Sequence, residues 1–186
     1  ESLDHVGPLT RSVADAGIML QTISGHDLND PTSVPDDVPD MLAGIEKEIQ
    51  GVRIGFDERY ATEDIDLELA DAVRKAVSIL EDLGAQIVEV TLPEMDPYVR
   101  AWATLCSSEA IAAHRDTYPS RSEDYGPWFR GWLEIGDSVT GAQYAEANNL
   151  RAASNGHLRS VFKDIDILAC PSMSGPPHPV TQEMLF

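Results

Sequence analysis

The sequence predicts an α/β fold, a mixed and mostly parallel sheet flanked by helices. Three observations point to it. Residues 51–93 read as strand, helix, strand. A second apolar strand, Asp166-Ile167-Leu168-Ala169-Cys170-Pro171, follows a long helical stretch. Between these lie periodic segments of helical length, so strands alternate with helices, as a layered parallel sheet requires. No internal repeat or low-complexity tract interrupts the pattern.

The first helix is expected over residues 12–24. Its apolar positions Val13, Ala16, Leu20 and Ile23 fall near helical spacing. Ser12 and Asp15 have the spacing of a capping box, where a side-chain oxygen accepts an orphan amide N–H. Gly25 is a natural stop. Residues 26–50 are rich in Pro, Asp and Ser, which predicts a surface excursion with a short helix near Met41–Ile49.

Gly51-Val52-Arg53-Ile54-Gly55-Phe56 reads as a strand, and Asp66 as the N-cap of the next helix. The predicted buried stripe is Leu69, Val73, Ala76, Leu80 and Leu83, with Val77 alongside. Each larger aliphatic contributes ~1.5–3 kcal/mol when fully buried. Gly84 ends the helix, and Gln86–Val90 is the second strand. Strand, 18-residue helix, short turn and strand form a βαβ unit, whose strands are expected to be parallel and its crossover right-handed. Residues 96–117 are expected to be helical. An aromatic segment, Tyr125 to Trp132, precedes a turn near Gly136, and a long helix runs from about Thr140 to Phe162. The tail from Ser172 is too proline-rich for regular structure. The 186 residues are read as one domain: helix plus excursion over 1–50, the βαβ unit over 51–93, a helical segment over 94–165, and the last strand and tail over 166–186.

Composition narrows the function. Thirteen basic and 32 acidic residues give a net charge of −19, which repels phosphate backbones and argues against nucleic-acid binding. No segment reaches the roughly 18 consecutive apolar residues of a membrane span. Cys106 and Cys170 form no C-x-x-C pair, so two buried thiols in a reducing, cytoplasmic compartment are expected. The five histidines show no H-x-x-x-H spacing, and neither acidic cluster has a calcium-loop pattern. No metal or other cofactor is therefore expected.

The opening run, Ser2-Leu3-Asp4-His5-Val6-Gly7-Pro8 followed by Thr10-Arg11-Ser12-Val13-Ala14-Asp15-Ala16, resembles a stretch of the amidase signature family. In that family it follows the nucleophile region. The likeness continues through Gly25-His26-Asp27, Asp30-Pro31-Thr32-Ser33 and Gly51–Gly55. It resumes at Leu83-Gly84-Ala85, Val88–Pro93, Tyr144–Arg151, Phe162, Asp166–Leu168 and Cys170-Pro171. The resemblance implies a partial amidase signature fold and a parent enzyme that hydrolyses, or transfers from, a carbon–nitrogen amide bond. It also implies a nucleophilic Ser, a bridging Ser in a cis peptide, and a Lys base held near them.

Those motifs are missing from these 186 residues. There is no Gly-Gly-Ser run, and the only lysines are Lys47, Lys75 and Lys163. Ser107 and Ser108 are adjacent but sit in a helical pattern without flanking glycines. Ser172 and Ser174 lack the glycines of a nucleophile elbow. His5 is expected to make a structural hydrogen bond. No catalytic residue is therefore assigned. The chain has no initiator Met and is expected to begin downstream of the catalytic centre, inactive by itself.

The aromatic segment is the candidate contribution to a substrate site. Tyr125, Trp128, Arg130 and Trp132 lie within eight residues and would suit an apolar or aryl amide. Packing between helices is the competing reading. In relatives that amidate glutamate on tRNA, an Arg in this segment holds the glutamine carboxylate. Arg130 lies near that place, though Gly131 and Trp132 are in competing register. Two other readings stay open: a non-catalytic α/β binding or regulatory domain, and a glutamine-using protein like the amidase-type component of those amidotransferases. The expected partners are a small-molecule amide and, through unpaired sheet edges and exposed apolar helix faces, either further polypeptide or a second copy in a homo-oligomer.

Overall fold

The computed structural model describes residues 2–30 and 32–181. Glu1, Pro31 of the acidic excursion and residues 182–186 of the tail lie outside the described residues. The elements are α1 (Val13–Ile23), β1 (Arg53–Phe56), α2 (Glu58–Thr62), α3 (Leu67–Asp82) and β2 (Gln86–Glu89). Then come α4 (Asp96–His114), α5 (Pro127–Ser138), α6 (Gly141–Val161) and β3 (Ile167–Ala169). They group into two compact units. One comprises Asp4–Glu48; the other joins the residues through Leu3 with those from Ile49 onward.

The larger unit is built on a three-stranded sheet of order β2-β1-β3. Both pairings are parallel, as the βαβ reading requires. Ile54 in β1 is 3% exposed and stands opposite Ile87 and Ile167. Beside it, Gly55 has a packing reason. A Cβ there would lie 2.5 Å from Ile165 Cδ1, so the missing side chain lets buried Ile165 rest on the strand.

Both ends of β1 are tied by carboxylates. At the start, Arg53 Nη2 donates to Asp166 Oδ1 at 2.7 Å. The Arg53 backbone N–H donates to Asp166 Oδ2 at 2.9 Å, and Asp166 N–H returns a bond to the Arg53 carbonyl. At the other end lies Asp57, only 5% exposed. Its Oδ1 accepts the Tyr60 N–H at 3.0 Å and caps α2, a helix the sequence reading did not anticipate. Its Oδ2 accepts the Leu92 N–H at 2.6 Å, across to the segment leaving β2.

Helix α3 starts where expected, with Asp66 Oδ1 accepting the N–H groups of Glu68 and Leu69. Its buried face is rotated from the predicted stripe. Ala70 and Val77 are buried, Leu69, Val73 and Leu80 half-buried, while Ala76 and Leu83 are exposed.

Helices α4, α5 and α6 pack with α4 central. Ala101, Leu105 and Ala147 form the core between α4 and α6, with Leu3, Tyr144 and Leu150 against them. Helix α6 has the complete capping box: Thr140 Oγ1 accepts the Gln143 N–H, and Gln143 Oε1 accepts the Thr140 N–H. Gly136 is not a turn. It lies buried inside α5, where a Cβ would meet the Ser107 carbonyl oxygen of α4 at 2.1 Å. Glycine here marks the closest approach of two helices, which a sequence read one segment at a time registers as a break.

In the smaller unit, Ser12 caps α1 by accepting the Asp15 N–H at 3.1 Å. Asp27 and Asp30 accept the N–H groups of Asn29 and Thr32, so these acids shape turns. Residues 41–46 form turns, not the predicted short helix. The cysteines also depart from expectation: Cys106 is half-buried on α4 and Cys170 is exposed beyond β3.

These contacts have measurable consequences. Gly136→Ala should lose about 1–3 kcal/mol by overpacking, read as a shift of the urea midpoint. Gly131→Ala, in open space on the same helix, should gain up to ~1 kcal/mol from helix propensity. The Arg53 guanidinium and then its backbone N–H hold Asp166 down at about 2, against weak opposing desolvation. A depressed carboxylate stabilises the fold above its unfolded pKa and loses that contribution as pH falls through the folded value. The urea midpoint should therefore decline from about pH 4 toward pH 2. Asp166→Asn should flatten that decline; an unchanged pH profile in the variant would contradict the assignment.

Candidate functional site

In a parallel sheet all strands end at one edge, and ligands bind in the crevice beyond it. Here three segments leave that edge: Asp57–Thr62 after β1, Leu92–Val99 after β2, and Pro171–Ser174 after β3. They border an open cleft of about 580 Å³. Its apolar walls include Pro93, Met95 and Met173.

Arg59 lies at the floor of this cleft. It donates to the Leu92 carbonyl at 3.1 Å and pairs with Glu94 at 3.0 Å and Glu63 at 3.5 Å. Its charge is neutralised within the chain, and Asp64 and Asp96 add further negative charge to the lining. The cleft thus favours neutral or cationic polar groups over carboxylates. Asp64 takes φ 57, a left-handed conformation Asp tolerates better than most residues. Ser172 and Ser174 line the same cleft, and the Ser174 carbonyl accepts the Asp66 N–H at 2.8 Å. Nothing in this arrangement pairs a nucleophile with a base.

The four residues singled out from the aromatic segment occupy four different surroundings. Tyr125 belongs to a half-buried aromatic group. Its hydroxyl lies 3.1 Å from His114 Nδ1 and also contacts Thr117 Oγ1. Its ring stands edge-on to His114 and Tyr118 and stacks with Phe129 at 6.0 Å. Trp132 packs instead on Trp102 of α4, with centroids 5.9 Å apart. Trp128 is 82% exposed. Arg130 faces Glu123 at 3.7 Å. Among the described residues, no ring contact joins Tyr125 to Trp128 or Trp132. His114, Tyr118 and Trp102 complete these groups. Sequence reasoning missed them, since only the crossing of α4 and α5 brings them near.

The serine pair is structural. Ser107 is fully buried, and its hydroxyl donates to the Thr104 carbonyl at 3.3 Å; the Ser108 hydroxyl reaches the same oxygen at 2.7 Å. Both bond back into their own helix. Lys47, Lys75 and Lys163 are all exposed, whereas a lysine base must be desolvated to be neutral near pH 7. His5 is exposed as well. Among the described residues, no group of three or more His, Cys, Asp or Glu could hold a metal ion. No described helix is long and apolar enough to cross a membrane.

A layered α/β unit of this kind is matched over residues 1–184 by the amidase family profile. The chain belongs to the amidase family, and solved structures that share its fold are amidase signature enzymes. It is 35% identical to an amidase of Pseudomonas putida, over 94% of this chain and 38% of that protein. It is 30% identical to a glutamyl-tRNA(Gln) amidotransferase component of Geobacter sp. (strain M21), over 98% of this chain and 43% of the relative. The chain thus spans about two fifths of these relatives' length. A bacterial aryl acylamidase of the amidase signature family shares the fold at TM-score 0.81 and 22% identity, over 94% of this chain and 38% of that one. The corresponding glutamyl-tRNA(Gln) amidotransferase component of Thermotoga maritima superposes at TM-score 0.71 with 25% identity, over 97% and 39%.

The different surroundings of the tryptophans are measurable. Trp128→Phe should remove the largest share of acrylamide-quenchable emission, and Trp132→Phe less. Equal losses would mean that Trp128 is covered.

Proposed function

We propose that these residues are the carboxyl-terminal part of an amidase that cleaves, or transfers from, a carbon–nitrogen amide bond. In this reading a serine outside the chain attacks the amide carbonyl. A second serine in a cis peptide and a lysine move the proton, backbone N–H groups stabilise the oxyanion, and an acyl-enzyme forms. One observation carries the division of labour. The family match runs over residues 1–184, yet the chain's serine pair is bonded into α4 and its three lysines are solvated. The 186 residues by themselves are accordingly inactive.

Their contribution is to the substrate side. Trp128, Trp132 and neighbouring Trp102 offer an apolar wall for an aryl or alkyl amide. Tyr125 stacks on Phe129 of α5, and Arg130 faces Glu123. The exposed apolar side chains of α1, among them Val13, Ile18 and Ile23, suit burial against further polypeptide or a second copy. The two widely separated cysteines suit a cytoplasmic site of action. A glutamine-using amidotransferase component is the second reading, favoured by the amidotransferase relatives at 30–33% identity. It would need a cation for the glutamine carboxylate, and Arg130 already faces Glu123.

A serine-directed fluorophosphonate should leave the purified 186-residue chain unlabelled and without amide hydrolysis. It should label a longer polypeptide that adds an upstream Gly-Gly-Ser-Ser-Gly segment, at a serine of that segment. Labelling of a serine within these 186 residues, with concurrent hydrolysis, would overturn the reading.

A further inference from the structure

The segment at Ser2 is held by a polar clamp that neither the sheet nor the aromatic groups use. The Ser2 backbone N–H donates to Glu109 Oε2 at 2.7 Å, and the Ser2 hydroxyl donates to Glu109 Oε1 at 2.5 Å. Arg151 Nη1 donates to the same hydroxyl at 2.7 Å. Ser2 is thus bound by residues 107 and 149 positions away, one on α4 and one on α6.

Each clamp residue is itself oriented. The Tyr144 hydroxyl donates to Glu109 Oε1 at 3.3 Å. Arg151 Nη2 donates to Asn148 Oδ1 at 2.8 Å, and Asn148 Nδ2 donates to the Tyr144 carbonyl at 3.2 Å. Burial pushes the Glu109 carboxyl up, while the hydrogen bonds from the Ser2 side chain and then its backbone pull it down, below the usual carboxylate range. The carboxylate is therefore an anion at neutral pH, and its bonds to Ser2 are charge-assisted, short and directional. The serine hydroxyl suits its place chemically. It donates its one proton to the anion and accepts from the cation with a lone pair.

The clamp is not needed for cohesion alone. Leu3 already packs on Ala101, Leu105 and Ala147, and those residues already join α4 to α6. What the polar trio adds is direction: it fixes the Ser2 backbone, and so the path of whatever residues precede it.

We propose that Glu109 and Arg151 are positioning residues for the amidase reaction, holding the segment before Ser2 in register with the catalytic serines. This rests on the amidase reading above. The substrate need not touch either residue. Displacing an active-site segment by about 1 Å can cost on the order of 100-fold in rate.

The test uses the longer amidase polypeptide that carries these residues. Glu109→Ala should lower kcat ~10–100-fold with KM within about twofold and an unchanged circular dichroism spectrum. Ser2→Ala should produce a loss of similar size, and Ser2→Thr, which keeps the hydroxyl, should restore activity. The double variant Ser2→Ala/Glu109→Ala should be no worse than the poorer single variant, because both break one network. Full kcat in Glu109→Ala, multiplicative losses in the double variant, or a rise in KM alone would each overturn the proposal. Should Glu109→Ala fail to fold, the Ser2 pair of variants decides alone, since Ser2 lies at the surface. A parent protein that takes up no fluorophosphonate and cleaves no amide would instead overturn the amidase reading. An active parent indifferent to Ser2→Ala and Glu109→Ala would overturn only the clamp.

Discussion

The Asp57 carboxylate stands at the end of the central strand, nearly out of water, and accepts one backbone N–H with each oxygen. A buried acceptor left unsatisfied costs ~1–3 kcal/mol, more when charged, so both donors must be in place. One donor, at Tyr60, starts α2. The other, at Leu92, fixes the path of the chain leaving β2. The gap between those two segments is the carboxyl-edge cleft. The Arg53–Asp166 pair ties the opposite end of β1 in the same sense, but both partners are partly solvated, and exposed pairs stabilise less.

From that sheet the helices take their places by close approach more than by bulk. Gly55 admits Ile165, and Gly136 admits the Ser107 backbone. The second contact shapes the reading of function. With α5 pressed on α4, Ser107 is sealed in the helix interface, and both serine hydroxyls bond back into α4. The same crossing sends Tyr125 toward His114 and Trp132 toward Trp102. Four residues close in sequence thus serve different surroundings.

A family identity and an absent catalytic motif are compatible under the proposed function, in which the chain is a supporting scaffold. There the sheet edge, the tryptophans and the clamp at Ser2 each place something else, a substrate or a preceding segment.

Part of what is encoded within a few residues was legible in the amino-acid order. The caps at Ser12 and Asp66 could be read because each joins atoms three positions apart, whereas the equally local Asp57 cap of α2 was missed. The parallel βαβ unit was legible from periodicity, and the family from the run beginning at Ser2. Packing chose which face of α3 is buried, turning it toward Ala70 and Val77. Packing also turned Gly136 from a break into a contact, left Cys170 exposed, separated Tyr125 from Trp132, and brought Ser2 to Glu109 and Arg151. Those outcomes depend on how segments distant in sequence register, in the case of Ser2 across more than a hundred residues, a choice made by volume and by the pairing of charges that no local pattern records.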